Sequence, residues 1–277
     1  MSNEAAPDTS TANTGSSTKW IALAAMMFAV SMMFIDQTIV SIAIPTIQTE
    51  LGLSDAGVQW VINGYLLSLS AFFALGGRLS DILGHKKMVL LGVTIFAVSS
   101  ALCGATPASS AAEAWLIIFR IVQGIGAALL FPAALAIVVS VFPLKERGKA
   151  LALFFGITGG LTAIGTILGG YLSEWTWRAI FWVNVPVAII AIILTLIAKI
   201  HTKHKKEPLD YKGAVLIALG MGFSVLGLQQ ASSWGWGSWK TIGSIVLGLA
   251  LLVIFVKVET KVKIPLIKVE IFKDRAF

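Results

Sequence analysis

Charged residues, cysteines and histidines are scarce in this 277-residue chain. Asp, Glu, Lys and Arg make up 13% of it, whereas soluble domains usually contain about 25%. The single cysteine, Cys103, excludes an intrachain disulfide. The histidines His85, His201 and His204 lie outside the long apolar runs, and no nucleophile constellation is present. We therefore predict no metal site, no cofactor and no enzymatic activity.

Apolar residues are abundant instead, at 57% of the chain, with a mean hydropathy of +0.86. A helix needs about 20 mainly apolar residues to cross a bilayer. Eight runs approach or exceed this length, at about residues 20–47, 57–77, 88–105, 113–141, 149–172, 179–198, 213–231 and 241–257. The composition predicts an all-α polytopic membrane protein embedded in a lipid bilayer.

The net charge of +7 follows the predicted loops. Eighteen of the 21 Lys and Arg residues fall in the N-terminal segment, in every second loop and in the C-terminal segment. The loops on the opposite side hold Arg178 and Lys240, and Arg120 lies inside a span. Because basic loops stay on the inside, we predict a multi-pass protein of the cell (inner) membrane with a cytoplasmic N-terminus. The basicity reports topology, so no nucleic-acid partner is predicted.

One carboxylate, Asp36, lies near the middle of the first run, in "MMFIDQTIVSIAIP". A charge at that depth costs roughly 3 kcal/mol or more, so Asp36 must be paired, hydrated or able to change its protonation. A structural alternative is an acid permanently hydrogen-bonded to Gln37, Thr38 or a neighbouring helix.

An internal repeat relates the first three spans to the next three. "GGRLSDILGHKK" starts at Gly76 and "GGYLSEWTWRAI" starts at Gly169, an offset of 93 residues. Pro45 and Pro132, near the ends of spans one and four, are offset by 87. Three spans are an odd number, so the two units are predicted to have opposite orientations, as in many secondary transporters. Chance similarity of Gly-rich helix ends is the alternative.

The loop "GRLSDILGHKK" resembles the G-x-L-x-D-R-x-G-R-K loop between helices two and three of the major facilitator superfamily. The matching positions are Gly77, Leu79, Asp81, Gly84 and Lys86. Ile82 stands where the family usually has Arg, which leaves Lys86 and Lys87 as the expected partners of Asp81. The resemblance implies a cytoplasmic gating loop, and a solvated loop is the alternative.

Span four reads "RIVQGIGAALLFP" and resembles the family's R-x-x-q-G-x-g-a motif. Arg120 and Gln123 are three positions apart and therefore share a helix face. The resemblance implies that Arg120 takes part in proton movement, with Gln123 beside it. Snorkelling of Arg120 to the outer surface is the alternative.

Span five reads "GITGGLTAIGTILGGYL" and resembles the G-P-x-x-G-G antiporter motif of drug exporters. The matching positions are Gly165, Gly169 and Gly170, whereas Thr166 replaces the proline. Gly156 and Gly160 precede them at a spacing of four, and we expect the glycines to form one tightly packing face. The missing proline leaves the direction of transport open.

"FIDQTIVSIAIP", "WTWRAIFWVNVP" and "PLDYKGAVL" resemble the fourteen-span drug:proton antiporters of this superfamily. The resemblance covers about residues 20–277. It implies that Asp36 faces the central cavity, where it takes and releases protons or attracts a cationic substrate. The implied function is proton-coupled export of amphipathic or cationic drug-like compounds. The alternatives are uptake or exchange of a small metabolite, and a non-transporting membrane assembly subunit.

The same resemblance divides the chain into segments. A disordered cytoplasmic N-terminus at 1–19 precedes a six-helix bundle at 20–198. A basic cytoplasmic linker at 199–212 leads to two additional transmembrane helices at 213–257. A cytoplasmic segment at 258–277 then leads to a missing second six-helix half, or to a partner chain. Without that half, Asp36, Arg120 and Gln123 are expected on a face with no opposing wall.

Cysteines introduced at Ser110 and Lys203 test the predicted sidedness. We expect a membrane-impermeant thiol reagent added outside to label position 110 and not position 203, because only the second lies in a basic loop. The reverse labelling pattern would overturn the topology and the placement of every motif.

Overall fold

The chain folds into nine α-helices in the computed structural model, which describes residues 16–198, 200, 208–262 and 266. The helices are α1 (Ser16–Leu51), α2 (Asp55–Leu83), α3 (His85–Gly104), α4 (Ala112–Val141), α5 (Leu144–Trp175), α6 (Ala179–Trp182), α7 (Asn184–Ile197), α8 (Tyr211–Trp234) and α9 (Trp239–Glu259). The short α6 and α7 share one span, so eight segments within the described residues are long and apolar enough to cross a membrane. The predicted fold class is confirmed.

Helix ends extend beyond the predicted apolar runs. α1 begins at Ser16, four residues before the predicted start of the first span at residue 20. α8 begins at Tyr211 because the Asp210 carboxylate caps it, accepting from the backbone N–H groups of Lys212 and Gly213, each at 3.0 Å. Helical hydrogen bonding begins before the first apolar residue, so counting apolar residues places the starts of these two helices too late along the chain. Residues 1–15 and most of the predicted linker and C-terminal segment lie outside the described residues.

The packing of the first six spans is reciprocal. α2 packs along α4, and α5 packs along α1. A Cβ atom at Gly76 of α2 would overlap the backbone carbonyl of Ala128 in α4. A Cβ atom at Gly169 of α5 would crowd Ile39 and Ile42 of α1, at 3.3 and 3.2 Å. Position 41, between those two isoleucines, precedes Ala128 by 87 residues, so the paired glycines make equivalent contacts, as the inverted repeat requires.

Two buried apolar clusters fill the bundle, one toward each end. One contains Met26, Phe96 and Leu130 from α1, α3 and α4. The other contains Ile39 and Trp177, from the second half of α1 and from the segment before α6. A layer of buried polar side chains lies between them, so the core of the bundle is not uniformly apolar.

α8 and α9 pair with each other and attach to the bundle through α2. Ala214 and Ile217 of α8 pack beside Ala74 and Leu75 of α2. Nearer the other end of the hairpin, Asn63 Nδ2 donates to Gln230 Oε1 at 3.3 Å. The hairpin thus lies outside the six-helix core, as expected for an added pair.

Only part of the glycine pattern in α5 serves helix packing. Gly165 and Gly169 approach α1, and a Cβ atom at Gly165 would collide with the Thr38 hydroxyl. Gly156, Gly160 and Gly170 have no atom of another helix within 4 Å of where a Cβ would stand. The prediction of one continuous packing face is therefore wrong, because Gly156, Gly160 and Gly170 face outward.

Replacing Gly165 or Gly170 by alanine separates these two roles. Gly165→Ala should destabilise the protein by about 1–3 kcal/mol, because the methyl group enters a filled contact. Gly170→Ala should be neutral or stabilise by about 0.5–1 kcal/mol, because alanine is the better helix former and the space is open. Reversible unfolding in mixed micelles measures both, and equal effects would contradict the packing of α5 on α1.

Candidate functional site

Four polar side chains from three helices meet inside the bundle, between the two apolar clusters. Asp36, Arg120, Gln123 and Asn184 are 0, 2, 0 and 1% exposed. They come from α1, α4 and α7. Neither water nor lipid reaches them in this conformation, so protein groups must satisfy them.

The Asp36–Arg120 ion pair is the centre of this network. Arg120 Nη1 donates to Asp36 Oδ2 at 2.5 Å and to Gln123 Oε1 at 2.8 Å. Gln123 Nε2 donates in turn to Asp36 Oδ1 at 2.8 Å. These three side chains form a closed ring of hydrogen bonds, in which both carboxylate oxygens accept. A buried carboxylate and a buried guanidinium compensate each other only when their remaining hydrogen bonds are made in this way.

α2 completes the environment of Arg120. Arg120 Nε donates to the backbone carbonyl of Val61 at 3.1 Å. The guanidinium carbon lies 4.5 Å from the ring centroid of Tyr65, a cation–π distance. α2 can approach this closely because position 124 is glycine, where a Cβ atom would collide with the Tyr65 carbonyl and the Ser68 hydroxyl. The glycine after Gln123 thus brings α2 against the ion pair.

Asn184 is the member of the site that sequence reasoning missed. Its Nδ2 donates to Asp36 Oδ1 at 3.2 Å and to Ser100 Oγ at 2.9 Å. The available signal was a polar residue inside an apolar run, two positions before Pro186. The stretch that contains it supported only the family resemblance and no individual role.

The inverted repeat explains why these residues meet. Gln123 follows Asp36 by 87 residues, the same offset that relates Pro45 to Pro132. The two side chains therefore occupy equivalent positions in the two units, and they hydrogen-bond directly to each other. Equivalent residues can touch only at the pseudo-two-fold axis, as in any isologous contact. In an inverted repeat that axis runs in the membrane plane, which puts the site at mid-depth.

One sequence-based expectation about this site and one of the alternatives are wrong. The polar side chains do not lie on an uncovered face, because α2, α3 and α7 enclose them. Arg120 does not snorkel to the surface, since its charge is paired inside. Of the alternative partners for Asp36, Thr38 bonds backbone carbonyls, including that of Thr162 at 3.1 Å, and Gln37 is exposed. The partners are on neighbouring helices.

The predicted gating loop joins α2 to α3. Gly84 has φ +97°, which a residue with a side chain rarely adopts, and it ends one helix and begins the next. Asp81 lies 4.0 Å from His85 Nε2, whereas Lys86 Nζ donates to the Leu196 carbonyl at 3.4 Å. Lys86 therefore ties the loop to α7 and does not pair with Asp81 as expected.

The remaining residues of the gating motif differ in surroundings. Gly77 lies beside Pro132, 3.7 Å from where its Cβ would stand, and Lys87 is exposed. The loop is thus held by the turn at Gly84 and by the hydrogen bond from Lys86 to Leu196.

Ion pairs hold α1 at both ends. Lys19 Nζ lies 2.6 Å from Glu146 at the start of α5. Arg178, just before α6, donates to Glu50 at 2.7 Å and to the Thr106 carbonyl at 3.1 Å. Between these two ends, α1 carries Asp36 at a depth set by its packing on α5.

Comparison with known proteins identifies the family. The sequence profile of the Major Facilitator Superfamily matches residues 26–258. The chain belongs to this superfamily. The membership and the fold confirm the predicted resemblance and indicate a multi-pass membrane protein of a transporter family.

Its superfamily relatives include proteins of drug and antibiotic resistance. The chain is 39% identical over 256 residues to the "Uncharacterized MFS-type transporter EfpA" of Mycobacterium tuberculosis, covering 92% of this chain and 47% of that protein. It is 36% identical over 258 residues to the "Tetracenomycin C resistance and export protein" of Streptomyces glaucescens, again covering 92% and 47%. The chain thus spans about half the length of the curated relatives it matches.

Solved structures of the superfamily share the fold. The proton:xylose symporter XylE bound to 6-bromo-6-deoxy-D-glucose matches with a TM-score of 0.57 and 16% identity, covering 86% of this chain and 52% of the symporter. A bacterial homologue of the human drug peptide transporters PepT1 and PepT2 matches with a TM-score of 0.55 and 17% identity, covering 85% and 57%.

Moving the carboxylate across the repeat axis tests the geometry of the site. Asp36→Asn should destabilise the protein by roughly 3–5 kcal/mol, because it leaves the buried Arg120 charge uncompensated. Asp36→Gln combined with Gln123→Asp should recover at least half of that loss, since Arg120 Nη1 contacts both positions. Reversible unfolding in mixed micelles measures each free energy.

Asp81→Asn is the matched control for this experiment, because Asp81 is an exposed carboxylate on the same chain. It should change stability by no more than about 0.5 kcal/mol. A double variant as unstable as Asp36→Asn would show that the two positions are not equivalent.

Proposed function

We propose that this chain forms one half of a proton-coupled exporter of amphipathic or cationic drug-like compounds. The observation that carries the proposal is the enclosed Asp36–Arg120 pair at the repeat axis. Relatives named as drug-resistance and antibiotic-export proteins support the direction and the substrate class.

Asp36 is the proposed proton carrier because it is the one carboxylate of the network. Arg120 stays charged at all relevant pH values, and the amides of Gln123 and Asn184 do not titrate. While Arg120 is in place, the carboxylate is compensated without a proton. If Arg120 moves away, a bare carboxylate in a dry interior is costly, and binding a proton removes that charge. Exchange of a proton for the guanidinium is therefore the proposed coupling step.

A polar stripe on α1 is the proposed substrate-facing surface. It consists of the exposed polar residues Gln37, Ser41 and Thr49, and exposed Pro45 takes the position between Ser41 and Thr49 in the same four-residue spacing. Exposed polar side chains at membrane depth usually face a water-filled cavity or another part of the protein, and not lipid. The stripe begins one residue after Asp36, so substrate and proton would act on the same helix.

An aromatic crevice beside that stripe supports the proposed substrate class. It has a volume of about 180 Å³ and is lined by Phe34, Phe73, Phe131, Tyr65, Met33, Leu69 and Gln37. An apolar cavity of about 150 Å³ accommodates a benzene ring, so this crevice fits a small aromatic group. Tyr65 borders the crevice and also stacks on Arg120, which brings a bound ring next to the ion pair.

A second six-helix bundle is the proposed partner, either in the same polypeptide or as a separate chain. The chain spans about half of its curated relatives. Gly156, Gly160 and Gly170 of α5 leave open space on the outside of the bundle, and glycine permits close approach of another helix. The polar stripe on α1 also needs a non-lipid covering. Alternating access would then arise from movement of one bundle against the other.

The proposed location is the cytoplasmic membrane, with the N-terminus in the cytoplasm. The distribution of Lys and Arg supports this orientation. In this proposed orientation the loop between α2 and α3 would lie inside and the Glu50–Arg178 pair outside.

Transport across the membrane of liposomes that contain the protein tests the proposal. A pH gradient is imposed, and the movement of a fluorescent lipophilic aromatic cation is measured. The chain joined to its second half should move the dye, and the chain alone should not. Asp36→Asn in the joined protein should abolish gradient-driven movement per folded molecule. Arg120→Lys keeps the charge but loses the planar fork of donors, so turnover should fall.

Asp55→Asn serves as the control, because Asp55 is an exposed carboxylate at the start of α2. It should transport like the wild type. Gradient-dependent movement by the chain alone would remove the need for a second bundle. Unchanged movement in Asp36→Asn would make that residue structural.

A further inference from the structure

The span formed by α6 and α7 is interrupted at Val183, and Pro186 accounts for the interruption. Proline has no N–H group, so the carbonyl of Trp182, four residues earlier, loses its helical donor. α6 ends at Trp182 and α7 begins at Asn184. Val183 keeps α-helical backbone angles, φ −60° and ψ −26°, so α7 continues the direction of α6. The Asn184 side chain lies inside the bundle, next to Asp36.

A chain of hydrogen bonds runs from this interruption to the carboxylate. Ser100 Oγ of α3 donates to the Phe181 backbone carbonyl at 2.8 Å. Asn184 Nδ2 donates to Ser100 Oγ at 2.9 Å and to Asp36 Oδ1 at 3.2 Å. Ser100 is fully buried, and the chain joins α6, α3, α7 and α1.

Which group donates in each hydrogen bond of this series follows from the Phe181 carbonyl at its start. A backbone carbonyl can only accept, so the single hydroxyl proton of Ser100 is committed to Phe181. Ser100 Oγ can then act only as an acceptor toward Asn184. The Asn184 amide must therefore turn its NH2 group toward Ser100, which also directs NH2 toward Asp36. Both amide protons are in use, so the orientation of this amide is determined by the network.

We propose that Ser100 and Asn184 are positioning residues that hold Asp36 in its charged, accepting form. Gln123 is the partner whose amide reverses when Asp36 binds a proton, which means that its oxygen and its NH2 group exchange positions. This inference rests on the proposed proton exchange at Asp36. It assigns different roles to two amides that contact the same carboxylate oxygen.

The different roles follow from what each amide would lose on reversal. A protonated carboxyl group needs an acceptor for its own hydrogen. If the Asn184 amide reversed, its oxygen would face Ser100 Oγ, which has no proton left to donate. If Gln123 reversed, its oxygen would accept from Asp36. Its NH2 group would then face the Arg120 donors, which would have to withdraw.

Proton binding and withdrawal of Arg120 are thereby coupled. The proton binds one oxygen of Asp36, and the resulting O–H group donates a hydrogen bond to Gln123 Oε1. Only hydrogen bonds are broken in this step. Arg120 then moves relative to the Val61 carbonyl and the Tyr65 ring of α2. Asn184 keeps one contact to Asp36 throughout, which prevents the carboxyl group from following Arg120.

Infrared spectroscopy of the purified chain in liposomes, with isotope-labelled aspartate, tests the positioning role. The carboxylate band of Asp36 is identified by its loss in Asp36→Asn. Ser100→Ala should shift this band, although Ser100 does not touch Asp36, because it frees the Asn184 amide. Asn184→Ala removes a donor directly and should shift the band further. Ser100→Thr keeps the hydroxyl and should restore the wild-type position.

Ser99→Ala is the matched control, since Ser99 is buried on the same helix but bonds the Ile95 carbonyl at 2.6 Å. It should leave the Asp36 band unchanged. Equal band positions in wild type, Ser100→Ala and Asn184→Ala would overturn the inference, as would equal shifts in Ser99→Ala and Ser100→Ala. The expected shifts together with an inactive joined transporter would instead overturn the proposed function alone.

Discussion

Two opposite charges enclosed in the middle of a helical bundle constrain everything packed around them. Asp36 and Arg120 are shielded from water and lipid, so each of their hydrogen-bonding atoms needs a protein partner. α4 supplies Gln123, α2 supplies the Val61 carbonyl and the Tyr65 ring, and α7 supplies Asn184. Four helices therefore have to arrive at one point in the correct register. The glycines at the close helix contacts serve that requirement.

The inverted repeat provides most of this register without a separate design for each helix. α2 against α4 and α5 against α1 are the same contact made twice, with Gly76 and Gly169 in equivalent places. The repeat also brings Asp36 and Gln123 together at its axis. The symmetry is incomplete at the site, because Asp36 is a carboxylate and Gln123 is an amide, and Arg120 donates to both. Asn184 of α7 adds a second asymmetry, because its amide donates to Asp36 Oδ1.

The surroundings of the site divide into a part that is filled and a part that is open. Two apolar clusters close the bundle above and below the ion pair, and the α8–α9 hairpin covers α2 from outside. The polar stripe on α1, the aromatic crevice and the outward glycines of α5 remain uncovered. This surface supports the proposed moving contact with a second bundle, because small and polar side chains allow repacking without loss of a large apolar core.

The eight spans and the repeat can be predicted from the sequence alone, because apolar run length and residue spacing can be read directly from the chain. Asp36, Arg120 and Gln123 were also identifiable, since polar residues stand out in apolar runs. Their enclosure was not, because it depends on which helix faces meet. The outward glycines of α5 and the hydrogen bond from Lys86 to Leu196 could not be predicted either, because they also depend on which helix faces meet.

Asn184 shows the division most clearly. The sequence by itself determined that span six carries an asparagine two residues before a proline. Only the tertiary structure decided that this asparagine reaches Asp36, because the contact requires α3 to supply Ser100 and α1 to supply the carboxylate at the same depth. Residues that are far apart in the sequence form hydrogen bonds with each other there, and no local sequence pattern shows that they meet.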